Sequence, residues 1–123
     1  MPDPRQTFGD LLRATRVAKG FTLRKFAEMA DMSPTYLSQV EQGKIERPPT
    51  AERVRTMATL LGQNADEWIA LAGRIPDDVS EIIRSQPETM PALLRAAKGL
   101  TAEDLRKLTE QIEKQKKDGG SKS

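Results

Sequence analysis

The chain has 123 residues, a net charge of +2, and neither Cys nor His. That composition excludes disulfides, thiol nucleophiles, the usual zinc sites and any Ser-His-Asp or Cys-His constellation. A charge so near balance says little about nucleic acid, so any case for it rests on where individual groups sit. The opening MPDPRQTFGD carries no apolar run, which predicts no signal peptide. No segment approaches the roughly 20 apolar residues that span a bilayer. A cytoplasmic protein with no membrane partner, no cofactor and no metal is expected.

In chain order, Gly and Pro punctuate segments of helical period. The spacing predicts a first helix over Phe8–Lys19, opened by Thr7 with Asp10 and closed by Gly20. Thr22 caps a second, Leu23–Ala30, with Leu23 or Phe26, Ala27 and Ala30 inward. After the short break DMS, Ser33 caps a third helix with Pro34 at its first position, and Gly43 ends it. Thr50 caps a fourth, Ala51–Leu61, with Val54, Met57, Ala58 and Leu61 inward. Asn64 with Glu67 opens a fifth that runs to Ala72. Beyond Gly73 the pattern predicts helices over Pro76–Ser85, up to Lys98 with Pro91 in the first turn, and from Thr101, whose Asp104 completes a capping box. From Lys114 onward the Lys, Gly and Ser content predicts a disordered tail. No strand pattern or repeat is present.

Helices two and three around DMS form a helix-turn-helix pattern, which needs two short helices crossing at roughly 90–120° over a tight turn. Ala27 is small where the helices approach. Asp31 tolerates a left-handed turn better than most non-glycines. Leu37 and Val40 anchor the underside of the third helix, leaving Thr35, Ser38, Gln39 and Gln42 on one outer face. These four are neutral hydrogen-bonding groups where Lys and Glu are the common choice. A plain solvated face explains them in isolation. In a helix-turn-helix, neutral amides and hydroxyls can tell one base edge from another, and Gln bonds an adenine edge bidentately.

The run GFTLRKFAEMADMSPTYLSQVEQGK, with PPTAERVRTMATLLG and NADEWIALAG behind it, resembles the five-helix DNA-binding domain of the Xre family, the lambda-type phage repressors and Cro proteins. The resemblance implies an all-α, lambda-repressor-like fold and a recognition helix in the major groove. It implies base reading by Thr35 and Gln39, with Ser38 and Tyr36 adding contacts, and at Pro34, where many relatives carry a polar reader, a contact either lost or replaced by apolar contact with a thymine methyl. Phosphate would be held by Gln42, the Gly43 amide, Lys44 and Arg47, and from the other side by Thr22 and Arg24. Arg16 and Glu41 match a buried structural ion pair. Asp31 replaces the usual turn Gly, Leu23 replaces a common Gln, and Glu46 and Pro49 stand where relatives are often basic. Modest intrinsic affinity is therefore expected.

The adjacent carboxylates Asp77–Asp78 and Glu103–Asp104 invite an enzyme reading. Helix N-termini account for both pairs more simply, and no phosphate-binding Gly loop is present. No catalytic residue and no small-molecule site is expected. Val79, Ile82, Ile83, Leu93, Leu94, Leu105, Leu108 and Ile112 are too much apolar surface for so short a segment to hide alone. Burial against the first domain is one outlet. A homodimer reading a pseudo-palindrome, with recognition helices about 34 Å apart, is the other. The order IPDDVSEIIRSQPETMPALLRAAKGLTAEDLRKL is similar to short C-terminal regions of Xre-type repressors, which implies dimerisation. The expected organisation is a DNA-binding domain over 5–73, a helical dimerisation region over 74–113 and a tail over 114–123. The expected function is a dimeric transcriptional repressor, bacterial or phage-encoded, acting by occupancy of double-stranded DNA and answering to a protein partner or protease. Two rivals stand beside it: an antitoxin whose C-terminal helices bind a toxin, and an adaptor that keeps the fold for protein binding.

Overall fold

The computed structural model describes residues 3–119. Among them, eight α-helices follow one another with no strand: α1 (Pro4–Ala18), α2 (Leu23–Met29), α3 (Pro34–Glu41), α4 (Ala51–Leu60), α5 (Ala65–Leu71), α6 (Asp77–Ser85), α7 (Thr89–Ala97) and α8 (Ala102–Gly119). The capping chemistry explains most of the starts. The Thr22, Ser33, Thr50 and Asn64 side chains each accept the backbone N–H three residues on, at 2.8–3.2 Å, satisfying a donor that the helix cannot. Thr101 and Asp104 bond reciprocally, Asp104 N–H to Thr101 Oγ1 at 3.1 Å and Thr101 N–H to Asp104 Oδ2 at 3.3 Å.

Two ends differ from expectation. The Thr7–Asp10 pattern predicts a start at Phe8, yet α1 begins at Pro4. Asp3 accepts the Arg5 N–H at 2.9 Å and Pro4 takes the first turn, a stronger start signal than the one three residues inside. Hydrogen bonds from the Arg5 side chain and N–H hold the Asp3 carboxyl below the usual carboxylate range. Its contribution to α1 is therefore complete above about pH 4 and fades as pH falls through the lowered value. At the other end, α8 runs to Gly119 rather than giving way at Lys114. Glu, Lys and Gln are good helix formers, and Lys116 and Lys117 complement the dipole of the last turn. The remaining tail positions, 120–123, lie outside the described residues.

The chain divides into two compact units, Met1–Glu81 and Ile82–Ser123, with the division inside α6. In the first, α1 packs on α3 and α5, α2 on α3, and α4 on α5. Phe8, Leu12, Phe26, Leu37, Val40, Val54, Met57, Leu61, Trp68 and Ile69 form its core. Phe8 and Trp68 meet edge to face, ring centres 5.7 Å apart, the arrangement aromatic quadrupoles favour. Of the inward alternatives on α2, Phe26 is buried, while Leu23 packs only partly. Gly9 is where α1 crosses α3. A Cβ there would stand 2.5 Å from the carbonyl oxygens of both Val40 and Glu41, so only a bare backbone allows this approach.

In the second unit no described residue is buried. Ile82, Leu93, Leu94, Leu105, Leu108 and Ile112 are all exposed. No helix among the described residues is long and apolar enough to cross a membrane.

Candidate nucleic-acid interface

The turn between α2 and α3 is set by one left-handed residue. Asp31 has φ 56°, the only positive φ among the described non-glycine residues. That conformation lets the Met32 N–H reach back to the Ala27 carbonyl at 2.9 Å and close the end of α2. Ala27 is fully buried at the same place, so the helices meet over a methyl group. Ser33 and Pro34 then start α3 at once.

Leu37, Val40 and Glu41 form the inner face of α3. Glu41 receives Arg16 bidentately, Nε to Oε2 at 2.7 Å and Nη2 to Oε1 at 2.9 Å. Arg16 Nη1 donates to the Phe21 carbonyl at 2.8 Å. The expected ion pair is thus present, and the same guanidinium also ties down the approach to α2. Buried charges persist when paired and hydrogen-bonded in this way.

On the outer face, Thr35, Gln39 and Gln42 are exposed and Ser38 is half-buried. The four do not behave alike. Gln42 Nε2 donates to Ser38 Oγ at 2.8 Å, which couples those two. The Thr35 and Gln39 side chains make no hydrogen bond among the described residues, so their donors and acceptors face solvent. Pro34 is exposed beside them. Tyr36 turns the other way: it packs partly on the core, and the Arg53 guanidinium lies over its ring, 5.0 Å from the centroid. Arg53 has no signal in the sequence pattern, because the contact depends on how α4 crosses α3.

The residues expected to hold phosphate are not equally free. Lys44, Arg47, Thr22 and Arg24 are exposed. The Gly43 amide is already committed, donating to the Val40 carbonyl at 3.1 Å as α3 ends. The Thr22 hydroxyl accepts the Lys25 N–H at 3.1 Å, which leaves its own O–H free to donate. An open cleft of about 520 Å³ lies between α1, α2 and α3, lined by Asp10, Arg13, Leu23, Ser38, Gln42 and Lys44 among others. Arg13 there has the charge and exposure of a further phosphate ligand. Its position on the outer side of α1 gave no hint of it, since an exposed Arg is common on any helix.

Two helices crossing over a small residue, a left-handed turn and a solvent-facing polar stripe define a helix-turn-helix protein. The profile of a helix-turn-helix domain matches residues 7–71, over half of the chain, and the chain belongs to that family. It is 39% identical over 57 residues to the transcriptional regulator ClgR of Mycobacterium tuberculosis, across 46% of this chain and 49% of that one. The alignment thus spans about half the length of this curated relative. Two crystal structures of the clp gene regulator ClgR from Corynebacterium glutamicum are also similar. One is 35% identical with a TM-score of 0.50, over 58% of this chain and 90% of that one. The other is 29% identical with a TM-score of 0.51, over 79% and 96%.

Proposed function

We propose that this chain is a sequence-specific DNA-binding transcriptional regulator that works in the cytoplasm as a homodimer and represses by occupying a pseudo-palindromic operator. The observation that carries the reading is the exposed pair Thr35 and Gln39, with unengaged polar groups, on a helix whose opposite face is locked to α1 by Arg16–Glu41. A rigid helix that holds neutral donors and acceptors out to solvent suits base edges, whose hydrogen-bonding patterns differ from one base pair to the next. The naming of similar proteins as transcriptional regulators supports the same reading. Dimerisation is supported by the apolar residues left open on α6, α7 and α8, Val79, Ile82, Leu93, Leu94, Leu105, Leu108 and Ile112, with Ile83 half-buried among them. One recognition helix alone reads too few base pairs for useful specificity.

Selection from random DNA with the purified protein tests the reading. A preferred, two-fold symmetric site should emerge, and Gln39→Ala should relax preference at one position per half-site while leaving the helical circular-dichroism spectrum unchanged. Binding should weaken with salt at a log–log slope of about −0.9 per phosphate neutralised. Weak binding that is flat across sequence and salt would sink the proposal.

A further inference from the structure

The segment between α3 and α4, residues 43–50, carries Lys44 and Arg47 but has little regular structure of its own. Pro48 and Pro49 have no N–H, so this stretch offers carbonyls without the donors that would tie it into a turn. Its carbonyls are taken up instead by two arginines far away in sequence. Arg74, just past the end of α5, donates from Nη2 to the Pro48 carbonyl at 2.7 Å and from Nε to the Pro49 carbonyl at 3.1 Å. Arg5, in the first turn of α1, donates from Nη1 to the Ile45 carbonyl at 3.0 Å. Arg74 is partly buried while it does this, so its bonds are shielded from competing water. The position of Arg74 is itself determined: Gly73 turns left-handed at φ 82°, and the Arg74 N–H closes on the Ile69 carbonyl at 2.9 Å.

We infer that Arg74 is a positioning residue for DNA binding: its guanidinium braces the α3–α4 segment from behind so that Lys44 and Arg47 are held out toward phosphate. This rests on the DNA-binding reading above. A planar fork is needed, because one guanidinium meets two consecutive carbonyls along fixed directions. An ammonium at the same place carries the charge without that geometry. In this role Arg74 makes no phosphate contact of its own; its Nε and Nη2 are turned to the loop.

The salt dependence of DNA binding separates these roles. Arg74→Ala should flatten the log–log salt slope by up to about 1.8, the loss of two phosphate contacts at roughly 0.9 each. Arg74→Lys should fail to restore it, and serves as the test variant if the alanine form does not fold. In a Lys44→Ala/Arg47→Ala background, Arg74→Ala should change the slope no further. Rescue by Lys, or a further additive loss in that background, would make Arg74 a direct phosphate ligand and overturn the inference, as would an unchanged slope. A second readout needs no DNA: tryptic cleavage of the native chain after Lys44, followed by mass spectrometry, should be severalfold faster in Arg74→Lys than in wild type. Equal cleavage rates would remove the brace. Failure of the wild-type chain to bind DNA would strike the functional reading instead.

Discussion

At the scale of the residue, the smallest side chains constrain the site most. Gly9 sets how closely α1 lies against α3, and through it where the outer stripe points. A methyl group at Gly9 would collide with two backbone carbonyl oxygens rather than with a side chain that could swing away. Gly9→Ala should therefore lower stability by about 1–3 kcal/mol, despite the better helix propensity of Ala. A denaturant midpoint equal to or above that of wild type would show that the helices can part at no cost. Gly9 was invisible in the sequence, where a glycine within a helical pattern reads as a weak point. The ion pair Arg16–Glu41 was visible only through family resemblance, because nothing in the spacing of Arg16 and Glu41 brings them together without the fold.

At the scale of the element, the helix ends repeat one device. After α1, α3, α4 and α5 a glycine turns left-handed, and the following N–H reaches back to close the helix. After α2 the same geometry is held by Asp31. A non-glycine in that conformation costs roughly 1–2 kcal/mol. Asp31→Gly should thus raise the thermal midpoint, by an amount corresponding to about 0.5–1 kcal/mol once the greater flexibility of glycine in the unfolded chain is allowed for. A lowered midpoint would mean that the Asp31 carboxylate contributes more than its backbone strain costs. These elements were largely legible beforehand, because caps, glycines and apolar period are local signals. Ser33 with Pro34 and Thr101 with Asp104 each marked a start that the structure keeps. The misreadings came at competing signals. Asp3–Pro4 outweighed Thr7, and the helix-forming Glu–Lys–Gln run of α8 outlasted a composition that suggested disorder. Engagement of the stripe was not legible: the Ser38–Gln42 bond and the turn of Tyr36 toward Arg53 depend on rotamers and on neighbouring helices.

For the whole molecule, the boundary of the DNA-facing part matters more than the helix count suggests. Gly73 looks like a natural stop, yet Arg74 beyond it is bonded to the α3–α4 segment. A chain ending after Gly73 should fold but be less stable than one ending after Pro76, by about 3 kcal/mol for two lost hydrogen bonds to a charged group at roughly 1.5 kcal/mol each. Both should sediment as monomers and bind operator DNA poorly. A dimeric truncation would show that pairing does not need α6, α7 and α8, and equal stability would show that the Arg74 bonds contribute nothing net.

The open apolar faces of α6, α7 and α8 carry a consequence for control. Under the proposed pairing, and below the dimer dissociation constant, the amount of DNA-competent species follows the square of protomer concentration. Halving the chain would cut it about fourfold by mass action. Abundance itself would then be the signal. Synthesis and degradation of the chain would switch its targets more steeply than in proportion, without any small molecule having to be sensed.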